Sequence, residues 1–172
     1  QEFLPNGLFY ESYGALSAST DKTSTRASLS FRDQGGTTPN TDQKRYAMAV
    51  NTKMTFNKYI DFDLSANYIR TKSANLPGTG YNSTNALQSI MQWFGRQVDL
   101  KDLKNNWDQV DEYGKYTHYN WIQSFHANPY WTLNKNTNSY DRNRFYGKTS
   151  LYIKPTDWLK FEGRMGLESL RF

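Results

Sequence analysis

Between Tyr46 and Tyr68 the chain alternates apolar and polar positions with a period of two. Tyr46, Met48, Val50, Thr52, Met54 and Phe56 form one set, and Ala47, Ala49, Asn51, Lys53 and Thr55 the other. After Asn57-Lys58-Tyr59 the pattern resumes, with Ile60, Phe62, Leu64, Ala66 and Tyr68 set against Asp61, Asp63, Ser65 and Asn67. Such a period places the two sets on opposite faces of a β-sheet. A two-residue loop would set Phe56 opposite Asp61 and mix the faces. A three-residue loop pairs Phe56 with Ile60, Met54 with Phe62 and Val50 with Ala66. It also brings Lys53 opposite Asp63, a favourable cross-strand pair. The pattern predicts an antiparallel hairpin with one apolar and one polar face.

The same alternation predicts strands at residues 8–19, 24–32, 43–56, 60–72, 143–153 and 157–171. Leu16 and Ala18 mark the first, and Thr25, Ala27, Leu29 and Phe31 line one face of the second. A four-residue turn at Thr20-Asp21-Lys22-Thr23 keeps Leu16 and Phe31 on one face. Asp33 to Asp42, with Gly35-Gly36 and Pro39-Asn40, reads as a loop. In the last hairpin Phe145, Gly147, Thr149, Leu151 and Ile153 share a face with Leu159, Phe161, Met165 and Leu167. Lys154-Pro155-Thr156 is the expected turn between them.

Residues 73–142 lack this period. A connection of that length is uncommon in a compact domain unless it is functional or disordered. Its aromatic content, from Trp93 to Trp131, argues for order. Leu87, Ile90, Met91 and Phe94 stand at helical spacing, with Ser83 or Thr84 as the expected N-cap. A second helical turn is expected from Asp99 through Leu103 to Trp107.

Composition narrows the class. Only 37% of the 172 residues are hydrophobic, 16% are aromatic, and 13 are tyrosine. Valine occurs only at Val50, Val98 and Val110, so aromatics replace the aliphatic core of an ordinary β-domain. No apolar run approaches the roughly 18 residues of a membrane helix. The net charge of +5 is dispersed, which does not suit a nucleic-acid tract. The absence of cysteine excludes disulfides and thiolate metal sites. With no start methionine or signal peptide, the sequence reads as beginning inside a larger or processed protein.

Short turns at one end of the strands and long loops at the other are the habit of transmembrane β-barrels, as is a polar second face toward a watery lumen. Tyr46, Tyr68, Phe56 and Trp158 near strand ends suit an interfacial girdle. Six strands fall short of the eight or so that close such a barrel, so the chain would supply part of a larger one. The rival is a soluble β-sandwich serving as a carbohydrate-binding module. The two differ over Met48, Val50, Met54, Phe62, Leu64, Phe161 and Met165, which face lipid in the barrel and a second sheet in the sandwich.

Several motifs carry a resemblance. They are Ser30-Phe31-Arg32-Asp33-Gln34-Gly35 with Pro39-Asn40, then Asn75-Leu76-Pro77-Gly78-Thr79-Gly80-Tyr81. Next come Gln92-Trp93-Phe94-Gly95-Arg96-Gln97-Val98-Asp99 and Asn128-Pro129-Tyr130-Trp131. Asn136-Thr137, Asp141-Arg142-Asn143-Arg144 and Thr156-Asp157-Trp158-Leu159 follow. In this order they resemble the SusC/RagA family of TonB-dependent outer-membrane transporters, over nearly the whole chain. The resemblance implies an all-β fold of antiparallel up-and-down strands. About six of them would belong to a barrel of about 22, with residues 73–142 as a partly helical extracellular loop. The plug domain, TonB-contacting segment and signal peptide of that family have no counterpart here. The resemblance also implies an outer-membrane setting in a Gram-negative bacterium and import of glycans or peptides. The implied partners are a SusD-like surface lipoprotein, the TonB complex acting through the plug, outer-membrane lipid and the rest of the barrel.

Candidate sites are few. Trp93, Trp107, Trp121, Tyr130 and Trp131 could stack on sugar rings or meet the lid lipoprotein. They could equally form the small core that a long ordered loop needs, and that is the first reading. Asp61 and Asp63 share a strand face, a spacing compatible with the paired acids of a glycoside hydrolase. Lys53 is the expected partner of Asp63, however, so a charged lumen wall is the simpler account. His118 and His126 lack the further ligands of a metal centre. Gly78-Thr79-Gly80 lacks the setting of a dinucleotide loop, and Asn82-Ser83-Thr84 matches a glycosylation sequon by chance. No catalytic residue, metal or cofactor is expected.

Overall fold

The structure is a computed structural model that describes residues 3–117, 119–122 and 125–172. Six strands form one antiparallel sheet in up-and-down order. They are β1 (Phe9–Ser19), β2 (Thr23–Gly35), β3 (Asp42–Asn57), β4 (Ile60–Ser73), β7 (Tyr140–Thr156) and β8 (Leu159–Arg171). Between β4 and β7 lie α1 (Ala86–Trp93), α2 (Leu100–Asn105), the short pair β5 (Gln109–Val110) and β6 (Tyr116–Thr117), and α3 (Pro129–Lys135). The sheet is open, with β1 and β8 as its edges. Several strands outrun the expected bounds: β2 continues to Gly35, and β7 starts at Tyr140 and continues to Thr156.

The β3–β4 register pairs Met54 with Phe62, Val50 with Ala66 and Lys53 with Asp63, as the alternation predicts. Phe56 does not pair with Ile60, however. The turn residues are Lys58 and Tyr59, Asn57 pairs with Ile60, and the register shifts between Thr55 and Asn57. A two-residue turn alone would have crossed the faces. The extra residue of the bulge restores the match. The β7–β8 hairpin repeats the device. The chain turns at Asp157-Trp158 instead of Lys154-Pro155-Thr156, with a shift between Ile153 and Thr156. That places Pro155, which has no N–H to give a ladder, at the irregularity. At the β1–β2 turn, Thr23 N–H donates to Thr20 Oγ1 at 3.1 Å and Thr20 N–H to the Thr23 carbonyl at 2.7 Å.

The chain divides into two compact units. The sheet unit comprises Tyr10–Asp33, Lys44–Lys72 and Asp141–Phe172. The loop unit comprises Gln1–Phe9, Gln34–Gln43 and Ser73–Tyr140. All of the buried hydrophobic core belongs to the loop unit: Phe3, Ala86, Leu103, Tyr130 and Leu133. Leu87, Ile90, Phe94, Val98 and Trp107 pack around it.

Side-chain amides and carboxylates organise the loop unit. Asn85, not Ser83 or Thr84, caps α1, accepting from Gln88 N–H at 3.2 Å. The helix presents Leu87, Ile90 and Phe94 to the core but leaves Met91 exposed, because Ala86 and Ser89 are its buried positions. Asp99 caps α2. The third helix escaped the period-based reading. Asn128 caps it with Pro129 in the first turn, a favoured start. Asn128 is fully buried and also donates to the Leu103 and Tyr119 carbonyls, both at 2.8 Å. Asn75 donates to the carbonyls of Asn40 and Leu133 at 3.0 and 2.8 Å and accepts from Asn138 N–H. Three stretches of chain meet at that one amide.

Candidate functional site

The sheet unit has two chemically distinct faces. The first carries the apolar set of β3 and β4, together with Phe145, Leu151, Ile153, Phe161, Met165 and Leu167 of β7 and β8. Ring contacts extend it to the other edge, since Tyr10 lies 6.1 Å from Phe31, and Phe31 lies 5.0 Å from Tyr46. Most of these side chains are uncovered. Val50 is 40% exposed, Met48 52%, Phe161 56% and Met165 70%; Leu64 is also exposed, and Met54 and Phe62 are half-buried.

This face is banded. The aromatic row Tyr10, Phe31, Tyr46 and Tyr68 lies toward the strand ends from which the long connections leave. Phe56 and Trp158 lie by the short turns. Between these levels no strand carries a charged side chain on this face. Ten residues from Tyr46 to Phe56 cover about 34 Å of strand, or about 26 Å of height at a tilt near 40°. Several polar groups of this face are hydrogen-bonded internally. The Thr25 and Thr52 hydroxyls share a hydrogen bond at 3.2 Å, Tyr68 Oη donates to Asn143 Oδ1 at 2.7 Å, and Thr149 Oγ1 donates to the Asp63 carbonyl. Charges begin at the level of the aromatic row, where Arg70 is opposite Tyr46 and Arg171 opposite Asn143, and continue beyond it. Arg70 grips Asp141 with two hydrogen bonds of 3.1 and 2.8 Å, Lys72 adds a contact to Asp141, and Lys44 pairs with Asp33. Gly147 is the one small residue that close packing demands on this face, because a Cβ there would meet the Ser65 carbonyl at 2.9 Å.

The opposite face is polar and more covered. A groove of about 280 Å³ is lined by Asn51, Lys53, Asp63, Ser150, Tyr152 and Arg164, with Ser65 and Lys148 beside them. Acids on this face are engaged: Asp61 by Lys154, Glu168 by Arg144 at 2.8 Å, Glu162 by Arg164, and Glu11 by Arg32 at 3.1 Å. Of the Asp61–Asp63 couple, Asp61 is ion-paired to Lys154, and Asp63 stands opposite Lys53 in the register.

The loop aromatics are used largely inside their own unit. Tyr130 is 5% exposed, with the Phe3 ring edge-on at 5.2 Å. Trp107 and Trp121 pack against the same core, and Phe94 meets Trp121 edge-on at 4.2 Å. Trp131 is half-buried, and Trp93 is 41% exposed with its ring 5.1 Å from that of His126. This placement is the packing arrangement for Tyr130, and it leaves Trp93 the most accessible of the set. His126 Nδ1 lies 3.3 Å from Ser89 Oγ. His118 lies outside the described residues. Tyr119 stands beside Asp102, whose carboxylate accepts a hydrogen bond and holds the phenol above the ordinary tyrosine value.

The alternation did not single out the Tyr10–Phe31–Tyr46 row or the basic residues of the groove. Both were marked only by their phase: aromatics on one parity, and lysines and arginines on the other. Among the described residues no group of three His, Asp or Glu side chains could hold a metal ion. No helix is long and apolar enough to cross a membrane, which says nothing of crossing by strands. No protein-family model matches the sequence, and no curated protein matches it.

Proposed function

We propose that this chain is a wall segment of a large outer-membrane β-barrel, in a SusC-like TonB-dependent transporter. The observation that carries the reading is the uncovered apolar face. Among the described residues no second layer covers Met48, Val50, Leu64, Phe161 or Met165. A sandwich would bury them. The absence of charge between two aromatic levels supports the same reading, because charges near the bilayer centre cost about 2–4 kcal/mol in such barrels. So does the internal pairing of Thr25 with Thr52 and of Tyr68 with Asn143, since lipid offers no hydrogen bonds.

On this reading the apolar face meets outer-membrane lipid and the polar face forms part of the lumen wall. Residues 73–142 serve as an extracellular loop. Further strands complete the barrel at the β1 and β8 edges. The chain itself performs no catalysis. It serves import of glycans or peptides with a plug, a TonB complex and a SusD-like surface lipoprotein as partners.

The test uses single cysteines at Val50, Leu64 and Asn51, fluorescently labelled in the full-length protein in bilayers. These 172 residues contain no cysteine, and any cysteine elsewhere in the full-length protein is replaced by serine before labelling. Quenching from the lipid phase at Val50 and Leu64, with aqueous quenching at Asn51, is the expected result. Protection of Val50 and Leu64 from both quenchers would leave the soluble sandwich as the better account.

A further inference from the structure

Ion pairing on the polar face is lopsided. In β3, β4, β7 and β8 that face carries four acids: Asp61, Asp63, Glu162 and Glu168. Each has a basic neighbour, respectively Lys154, Lys53, Arg164 and Arg144. Three of these are ion pairs, whereas Asp63 stands opposite Lys53 in the register, and the bases outnumber the acids. Arg45 and Lys148 have the same phase and make no ion pair among the described residues, and Lys160 lies near Asp61 and Glu162 without bonding to either. Lys160 Nζ rests 4.1 Å over the Tyr152 ring instead.

Lys148, which has no ion pair among the described residues, borders a place that can receive a ligand, beside Arg164 bonded to Glu162 and Lys53 opposite Asp63. Lys53, Lys148 and Arg164 line the 280 Å³ groove, where Asp63 is the one acid in the lining. Asn51, Ser65 and Ser150 supply neutral hydrogen-bonding groups between them. Cations of one sign set along a concave wall of low dielectric focus the field and raise the local concentration of counter-ions. Lysine and arginine beside hydroxyls and amides suit carboxylate oxygens, which accept charge-assisted hydrogen bonds.

We propose that this groove is an anion-selective station on the lumen wall, and that the substrate passing it is a carboxylate-bearing oligomer. The proposal rests on the barrel reading, because a groove on a closed-off face would meet no solute. It narrows the substrate class to acidic oligomers, and it assigns Lys53, Lys148 and Arg164 as the residues that hold them.

The experiment uses Asn51→Cys in the full-length protein in bilayers, modified by anionic, cationic and neutral methanethiosulfonates of similar size. Rates are normalised to those of a free thiol. The anionic reagent should be favoured over the cationic one by roughly fivefold at low salt. The preference should shrink as salt shortens the screening length to about 8 Å or less, and Lys148→Glu should abolish or reverse it. Equal rates, or preference for the cation, would overturn the proposal while leaving the barrel standing. No reaction with any reagent would sink the barrel reading itself. Protection from the neutral reagent is then measured with a galacturonate hexamer, a glutamate hexapeptide and maltohexaose. Protection by one acidic probe and not by maltohexaose identifies the sugar or the peptide source. Equal protection by all three, or none by either acid, overturns the substrate assignment.

Discussion

The loop unit and the sheet unit place their apolar side chains in opposite ways. In the loop unit Leu103 and Leu133 are enclosed and Asn128 is fully buried, and the surrounding polar groups are tied by amides. In the sheet unit the residues with small or zero exposure are polar, such as Thr52 and Ser150, whereas Met165 and Leu16 stand open. One unit solves the problem of water by hiding hydrocarbon inside itself. The other displays hydrocarbon and conceals hydroxyls, the arrangement that the proposed barrel reading assigns to a face against lipid. A single chain with only 37% hydrophobic residues thus carries two rules of burial. Mean hydropathy cannot separate them, because the difference lies in the phase of the pattern.

Substitution at Leu103 should give the largest contrast. Leu103→Ala removes a side chain that is 1% exposed, and the expected cost is about 2–5 kcal/mol. Hydrogen exchange should show the loss at amides of α1, α2 and α3 while the β3–β4 ladder keeps its protection. Uniform loss in both units would show that they unfold together. Next in size is a matched pair on one strand. Val50→Arg should destabilise the protein in lipid vesicles by about 2–4 kcal/mol, with Asn51→Arg nearly neutral. Denaturant titration of vesicle-embedded protein checks this, and equal effects at the two positions would erase the distinction between faces. The smallest effect is a dependence on pH confined to the loop unit. Tyr119 has its ionisation raised by Asp102, so its contribution to stability is fully present below the ordinary tyrosine value near 10. That contribution is lost as pH rises through the higher value of the folded state, where two anions would face each other. A ¹³C resonance from ring-labelled tyrosine should report the raised titration at Tyr119, and Asp102→Asn should bring it back down.

The strand registers were largely legible in the sequence because each residue of a two-faced strand votes for the same phase. Val50 with Ala66 and Lys53 with Asp63 follow from that vote alone. The bulges were not legible, because a bulge and a three-residue loop leave the same phase behind. Met91 was misplaced because four apolar residues at helical spacing leave the helix free to rotate by one position. The surrounding core selects Ala86 and Ser89 as the inward pair. In α3 the signal was present in Asn128-Pro129, a cap followed by a first-turn proline, but the helix is only seven residues long and has little periodicity to read. Of the candidate site, the apolar face was visible in advance. The basic groove was not, because it exists only once Lys53 of β3 and Lys148 of β7 share a wall through β4.

The paired bulges beside Lys58-Tyr59 and Asp157-Trp158 set a rule for changes in chain length. Each turn and its bulge fix whether the following strand enters with odd or even residues toward the apolar side. Losing or gaining one residue there would present Asp61 and Asp63, or Glu162 and Arg164, to the side now held by Phe62 and Phe161. Related sequences should therefore tolerate changes at these two turns in steps of two, whereas the connection from β4 to β7 imposes no parity and is free to lengthen or shorten by any number. Parity at the short turns, more than identity along the strands, is the trait by which distant versions of this sheet could be aligned.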